Sequence, residues 1–164
     1  MLKLMHITND PAVAKIAADA GVDRIFIDME VLGKAERQGG MDTVQSHHVP
    51  EDIAKVRAAI GNKAEIMARV NPLNPNSQTE IDASIENSAD VIMLPMWRTT
   101  DDLRQLVNMV DGRAKVMPLL ETDTAADNLP EAVKVSGIDQ MLIGLNDLHL
   151  CYHQKFMFQL LADD

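Results

Sequence analysis

The chain has 164 residues, of which 46 % are hydrophobic and 24 % charged, proportions typical of a soluble globular domain with a sizeable core. Its formal net charge of −10 argues against an extended nucleic-acid-binding surface, which needs concentrated basic side chains. The single cysteine excludes an intrachain disulfide, and the sequence has neither a cleavable signal nor an apolar run approaching the ~18 residues of a membrane span. We therefore expect a cytoplasmic protein with no nucleic-acid or membrane partner.

Short apolar runs alternate with segments of helical periodicity along the whole chain. The runs that predict strands are residues 2–7, 24–29, 64–70, 90–96, 114–120 and 140–144. Helices are predicted at 12–20, 50–61, 77–87, 99–110 and 124–135, with Pro130 interrupting or restarting the last of these, and a sixth at 153–162. Either Thr99 or Thr100 caps the fourth helix.

Six β-α units in alternation predict a parallel sheet covered by helices. The strand runs are continuously apolar, as expected when both faces of a sheet are buried. Such a sheet is either doubly wound and open or part of a (β/α)₈ barrel. A complete barrel takes about 250 residues, so the number of units alone slightly favours the open sheet.

Ionisable side chains follow the predicted strands at their carboxyl ends, the edge where parallel α/β folds build their sites. Asp28 and Glu30 follow the second strand, Arg69 the third, Glu121 the fifth and Asp147 the sixth. Each one alone is more often a loop charge or a helix cap. Together they form a chemically coherent set, because two carboxylates hold a divalent cation and an arginine binds an anionic substrate.

Five short motifs occur in order: "GVDRIFIDME", "ARVNP", "DVIMLPMWRT", "VMPLLET" and "IGLNDL". In sequence and spacing they resemble the HpcH/HpaI aldolase and citrate lyase β-subunit family of metal-dependent pyruvate aldolases. The resemblance implies a TIM-barrel fold of the parallel (β/α)₈ type, here truncated to about six units, with residues 1–164 as one partial domain. The barrel is therefore preferred to the open sheet.

The resemblance also implies roles for the residues at the strand ends. Glu121 and Asp147 fall on the family's metal ligands, for which Mg²⁺ or Mn²⁺ is expected and Co²⁺ or Zn²⁺ are alternatives. Arg69 falls on the arginine that faces the keto oxygen of pyruvate. Asp28 and Glu30 resemble the acid pair that supports the water shell of the metal.

Two further implications concern the substrate carboxylate and the assembly. The backbone amides of Gly144, Leu145 and Asn146 fall where the family binds the carboxylate of a 2-keto acid. A homo-oligomer is expected, since the C-terminal helix of family members often packs on a neighbouring subunit. The segment "LGKAERQGG" lacks the spacing of a phosphate loop and is interpreted as a rim, with Arg37 contacting an acidic or sugar-derived substrate.

The sequence departs from the family at the histidine that serves as general base. Val31 stands at that position, whereas "HVPED" farther along makes His48 the candidate for a displaced base. Glu86 falls on the carboxylate that the family pairs with its histidine. The alternatives are that His48 caps the second helix and that the base is His47 or a water on the metal.

The function implied is an aldolase-type lyase that cleaves the C3–C4 bond of a 4-hydroxy-2-keto acid, giving pyruvate and an aldehyde through an enolate. A lyase of the citryl-CoA or malyl-CoA type is an alternative with the same carboxylate pair. A third hypothesis is an inactive barrel fragment that acts as an interaction module, because six units leave two strand edges unpaired.

Overall fold

A computed structural model describes residues 2–33 and 46–162, and strands alternate with helices throughout these ranges. The strands are β1 Met5–Ile7, β2 Arg24–Asp28, β3 Glu65–Arg69, β4 Val91–Met93, β5 Lys115–Val116, β6 Leu119–Leu120 and β7 Leu142–Ile143. The helices are α1 Pro11–Asp19, α2 Pro50–Ile60, α3 Ser77–Glu86, α4 Thr100–Val110, α5 Asp123–Asp127, α6 Leu129–Ala132 and α7 Leu145–Cys151, followed by a 3₁₀ helix at Met157–Leu161. Within the described ranges no helix is long and apolar enough to cross a membrane.

All strand pairs are parallel, in the order β1-β2-β3-β4-β5, with β6 paired to β7. The predicted fifth strand is divided into β5 and β6 at Met117-Pro118, where proline supplies no N–H. The ladder to the preceding strand nevertheless continues, because Met117 N–H donates to the Ile92 carbonyl (3.0 Å) and Leu119 N–H to the Leu94 carbonyl (2.9 Å). The strands therefore follow one another in a single parallel succession, as in a barrel wall.

Alternate strand residues pack on opposite faces of this wall. One face meets the helices through an apolar cluster that includes Ile25, Ile27, Ile66, Ala68 and Ile92. The opposite face carries its own buried cluster, made of Phe26, Met67, Val91, Met93, Met117 and Leu119. Burial on both faces explains the continuously apolar runs of β2, β3 and β4, and it confirms the parallel (β/α) architecture predicted from them.

Helix starts follow the capping residues in the sequence. The Asp10 carboxylate accepts the N–H groups of Ala12 (2.7 Å) and Val13 (3.2 Å) at the start of α1. Thr99, and not Thr100, caps α4 and forms a reciprocal capping box with Asp102. The helix predicted across Pro130 ends after α5 and restarts as α6, with proline in its first turn.

Two expectations are wrong. β1 is exposed along its length, because it pairs only with β2 among the described residues. The α-helix predicted at 153–162 does not form, and an unpredicted one, α7, lies before it. α7 starts directly after β7 and ends before His153, whose φ of +54° is left-handed and incompatible with continuing the helix. Beyond it only the 3₁₀ helix forms, and the side chains of Phe156 and Phe158 are exposed.

Candidate active site at the carboxyl edge of the strands

Arg69 and Asp28 form a bidentate ion pair at the carboxyl ends of β2 and β3. The parallel register places them side by side, with Nε 2.9 Å from Oδ1 and Nη2 2.8 Å from Oδ2. Glu30 Oε2 lies 3.4 Å from Arg69 Nε, and the guanidinium stands 5.3 Å from the centroid of the Phe26 ring. Burial alone would lower the pKa of Arg69, but the hydrogen bond and charge of Asp28, with the charges of Glu30 and Glu121, raise it above its ordinary value. Arg69 is therefore a fixed cation with restricted orientation.

Glu121 follows β6 and is buried, with 3 % of its surface exposed. Its Oε1 accepts the N–H of Met96 at 2.9 Å. Met96 has a φ of +55°, uncommon for a residue with a side chain, so a strained peptide at the end of β4 holds this carboxylate. Burial raises the pKa of Glu121 to about 7; the Met96 hydrogen bond and Arg69 oppose the rise, and the charges of Glu30 and Asp147 add to it.

Gly144 and Asp147 complete the edge. Gly144 lies between β7 and α7, and a Cβ atom built on it would stand 3.0 Å from Glu121 Cβ and 3.2 Å from Glu121 Oε2. Glycine at this position therefore leaves room for the Glu121 side chain. Asp147 is buried in the first turn of α7, and its charge contributes to the rise in the pKa of Glu121, the other residue predicted to bind metal.

The three backbone amides assigned to the substrate carboxylate are not equivalent. The Gly144 N–H donates to the Leu120 carbonyl at 2.8 Å, as part of the β6-β7 ladder. It is therefore already used, and the assignment of this amide is corrected. Leu145 and Asn146 lie in the first turn of α7, where backbone N–H groups have no intrahelical acceptor.

His48 lies beside Asp28, because its Nδ1 accepts the Asp28 backbone N–H at 3.0 Å. The rest of "HVPED" fixes this position: Pro50 begins α2, and Asp52 Oδ2 accepts the N–H of Val49 (3.2 Å). His48 thus caps a strand end and not the second helix. His47 is exposed, as is Val31 at the position of the family histidine.

The structure does not bring Glu86 to His48. Glu86 is the exposed last residue of α3, and no hydrogen bond joins it to His48 in the part of the chain that is described. Of the two glutamates in α3, it is Glu80 that lines a cavity of about 390 Å³ together with His48. Six residues of helix, about 9 Å along the axis, separate Glu80 from Glu86, so the glutamate that the resemblance assigns lies at the other end of α3.

Asn71 is a structural residue that the sequence pattern did not reveal. Its Oδ1 accepts the N–H groups of Val31 (2.9 Å) and Leu32 (3.0 Å), which continue the chain after β2. Its own N–H and side-chain amide both donate to Glu80 Oε2 at 3.1 Å. The first residues after β2 are therefore tied to β3 and α3 together. Arg37, interpreted as a substrate contact, lies outside the described residues.

The chemistry of the donor set fits a hard divalent cation. Among residues 2–33 and 46–162, no three His, Cys, Asp or Glu side chains are grouped as a complete metal site. Mg²⁺ does not require one, since it commonly takes one or two protein carboxylates and completes its shell with water and substrate oxygens. The rise in the pKa of Glu121 shows that its charge is disfavoured in this setting, and a bound cation would relieve that penalty.

A parallel β-α wall around an apolar interior, with carboxylates and an arginine at its carboxyl edge, defines a protein of the TIM-barrel class. Within that class, the family model for HpcH/HpaI aldolase/citrate lyase matches residues 4–154, and the chain belongs to this family.

Solved structures show the same fold at low sequence identity. An HpcH/HpaI aldolase/citrate lyase family protein from Burkholderia cenocepacia J2315 is 18 % identical, with a TM-score of 0.75 over 94 % of this chain and 68 % of its own. An HpcH/HpaI aldolase from Desulfitobacterium hafniense DCB-2 is 14 % identical, with a TM-score of 0.71 over 94 % and 67 %. The citrate synthase SbnG is 16 % identical, with a TM-score of 0.73 over 99 % and 66 %. The chain thus spans about two thirds of the length of these structures. No curated protein matches it.

Proposed function

We propose that the protein is a divalent-metal-dependent carbon–carbon lyase that cleaves a 4-hydroxy-2-keto acid into pyruvate and an aldehyde. The observation that carries the proposal is Arg69, whose side chain is 14 % exposed and is held by Asp28 among the carboxylates of the strand edge. Membership of the HpcH/HpaI aldolase/citrate lyase family supports the reaction class.

The orientation of Arg69 suits an anion that develops during the reaction. Arg69 donates to Asp28 through Nε and through one N–H of Nη2. Arg69 Nη1 has no hydrogen-bond partner in the described part of the chain. An oxyanion at C2 of the substrate would meet this remaining face of the guanidinium. Asp28 already orients the Arg69 guanidinium, and the site is partly dehydrated. The interaction of the guanidinium with the oxyanion therefore costs little reorganisation in the transition state.

The reaction needs stabilisation of the negative charge at the C2 oxygen, removal of a proton from the C4 hydroxyl and delivery of a proton to C3. The proton leaves the C4 hydroxyl, the C3–C4 bond breaks to release the aldehyde, and the bonding pair passes to the C2 oxygen as an enolate. Arg69 holds that oxygen, and a proton delivered to C3 completes the pyruvate methyl group. Glu121 and Asp147 would hold the divalent cation, which supplies Lewis acidity for the same negative charge.

The chain's other residues keep this edge in place. The Met96 N–H orients Glu121, and Gly144 leaves space for its carboxylate. Asp28 orients Arg69, and Glu30 adds a second negative charge on the same side of the guanidinium. Each contact is made before substrate binds, which is the preorganisation that electrostatic catalysis requires.

The test is turnover of a panel of 4-hydroxy-2-keto acids with Mg²⁺ or Mn²⁺, comparing wild type with Arg69→Lys. Lysine keeps the charge but loses the bidentate fork to Asp28, so we expect kcat to fall by about 10²–10³-fold. Metal affinity, measured by calorimetry, should change little. Arg98→Lys, an exposed arginine following β4, is the matched control and should keep full activity.

Two outcomes would overturn the proposal. The first is equal turnover by wild type and Arg69→Lys, which would make the arginine a structural group only. The second is a wild-type protein that releases no pyruvate from any member of the panel and exchanges no methyl protons of pyruvate with solvent. Turnover of citryl-CoA or malyl-CoA in place of the free acids would establish the alternative lyase reaction.

A further inference from the structure

We infer that His48 is a positioning residue, locked as the neutral tautomer with its proton on Nε2, and is not the general base of the cleavage. The inference rests on the proposed function for its catalytic consequence. Its structural basis is the hydrogen bond from the Asp28 backbone N–H to His48 Nδ1 at 3.0 Å.

The protonation state of His48 follows from which of the two groups in this contact can donate the hydrogen bond. A backbone N–H is only a donor, so Nδ1 must contribute a lone pair. An imidazolium has no lone pair on either nitrogen. In the neutral tautomer protonated at Nδ1, the ring N–H of His48 would point at the backbone N–H of Asp28. Only the neutral ring protonated at Nε2 satisfies this contact. In that tautomer Nε2 is a donor, and Nδ1 can take a proton only by releasing Asp28.

The ring replaces a missing strand partner. Along β2, the backbone groups of Arg24 and Phe26 bond to β1: Arg24 N–H donates to the Leu4 carbonyl and Phe26 accepts the Thr8 N–H. Met29 N–H instead donates to Arg69, in the strand on the other side. By this alternation the Asp28 N–H faces the side of β1, which has already ended at Ile7. His48 Nδ1 accepts the N–H that β1 no longer reaches.

The contact is well placed to act on Arg69. Asp28 is buried, so leaving its N–H without an acceptor would destabilise the strand end unless the strand end moved. The same residue supplies both carboxylate oxygens that orient Arg69. Moving the Asp28 backbone would therefore turn the guanidinium, so His48 acts on the reaction through Asp28.

A second set of bonds holds the ring where it is. Asp52 Oδ2 accepts from Asn9 Nδ2 at 2.8 Å as well as from Val49 N–H, and Asp52 Oδ1 accepts from Lys55 at 2.9 Å. Asn9 lies just past β1, and Val49 directly follows His48. The exit of β1, the end of β2 and the start of α2 are thereby joined around the imidazole.

Asparagine separates positioning from proton transfer, since its Oδ1 stands near the place of Nδ1 and accepts an N–H but does not titrate. We expect His48→Asn to keep kcat within about tenfold of wild type, whereas His48→Ala loses about 10²-fold or more. His153→Ala, at an exposed histidine beyond α7, is the control and should remain active. If His48 were the base, Asn and Ala would both lose about 10²–10⁴-fold, and the inference would be overturned.

The tautomer of His48 can also be measured directly, without an activity assay. In ¹⁵N-labelled protein, the imidazole nitrogens of His48 should show a lone pair on Nδ1 and a proton on Nε2 across neutral pH. A ring protonated at Nδ1, or at both nitrogens near pH 7, would overturn the inference even if both variants fail to fold. A wild type with this tautomer but no pyruvate chemistry would instead refute the proposed function.

Discussion

Glu121 combines a buried carboxylate, a single backbone hydrogen bond and two acidic neighbours in one residue. Its pKa, raised by burial to about 7 from an ordinary 4.5, makes stability depend on pH. Between these values the unfolded chain releases the proton while the folded protein still holds it. The stabilising contribution is therefore complete below pH 4.5, decreases as pH rises, and is lost above about 7.

We accordingly expect the metal-free protein to lose about 3 kcal/mol of unfolding free energy from this residue between those two pH values. Glu121→Gln keeps an acceptor for the Met96 N–H but cannot ionise, so the difference between its urea denaturation midpoints and those of wild type isolates the effect. Added Mg²⁺ should stabilise wild type more at pH 8 than at pH 6. If the denaturation midpoints of wild type and Glu121→Gln changed with pH in parallel, this account would be contradicted.

The placement of Arg69, Asp28, Glu121 and Asp147 after strand ends was predictable because the carboxyl ends of parallel strands meet at one edge, and their roles in binding metal and substrate stay predictions. The contacts that orient them were not predictable in the same way. The positive φ of Met96 has no signature in a methionine, and the tautomer of His48 depends on an N–H supplied by a distant strand. Chain order indicates which residues meet but not which hydrogen bonds they form.

At the scale of elements, α3 carries two glutamates that sequence spacing did not distinguish. Glu80 faces the site edge and accepts three hydrogen bonds, from the Asn71 backbone, the Asn71 amide and the Asn74 amide. Glu86 is exposed at the other end of the same helix. The first glutamate joins α3 to the loop after β3, and the second contacts solvent.

We expect Glu80→Ala to cost about 2–3 kcal/mol of unfolding free energy, because it leaves donors of Asn71 and Asn74 without an acceptor. Glu86→Ala, on the same helix, should change stability by less than about 0.5 kcal/mol. Urea denaturation of the two variants measures both values. Equal effects, or a larger loss for Glu86→Ala, would show that the hydrogen bonds from Asn71 and Asn74 to Glu80 contribute little to stability.

Element boundaries were predictable where caps and periodicity agree, as at Pro50 and Thr99. They were not where tertiary contacts decide. The run at 114–120 is one strand by pattern, yet Pro118 divides it and the ladder continues around the break. The apolar stretch at 153–162 has the pattern of a helix, but its aromatic side chains contact each other edge to face and remain exposed.

At the scale of the whole molecule, the parallel wall has an outer edge at each end. Among the described residues, β1 pairs only with β2, and β7 only with β6. In the solved relatives the corresponding fold belongs to chains about half as long again, of which this chain spans roughly two thirds. The backbone donors and acceptors at these edges, with Ile7 and Ile143 about half exposed, are suited to pairing with another strand.

We therefore expect this chain to self-associate in a concentration-dependent manner through its strand edges. A lysine on an edge strand opposes such pairing, so Ile7→Lys and Ile143→Lys should each lower the average mass in sedimentation velocity, and the double variant should lower it furthest. Val133→Lys is the matched control, because Val133 is similarly apolar and exposed but follows α6 and lies on no strand. Wild type that stays monomeric at every concentration would contradict the prediction, and so would an equal effect of the control, which would indicate association through general surface hydrophobicity.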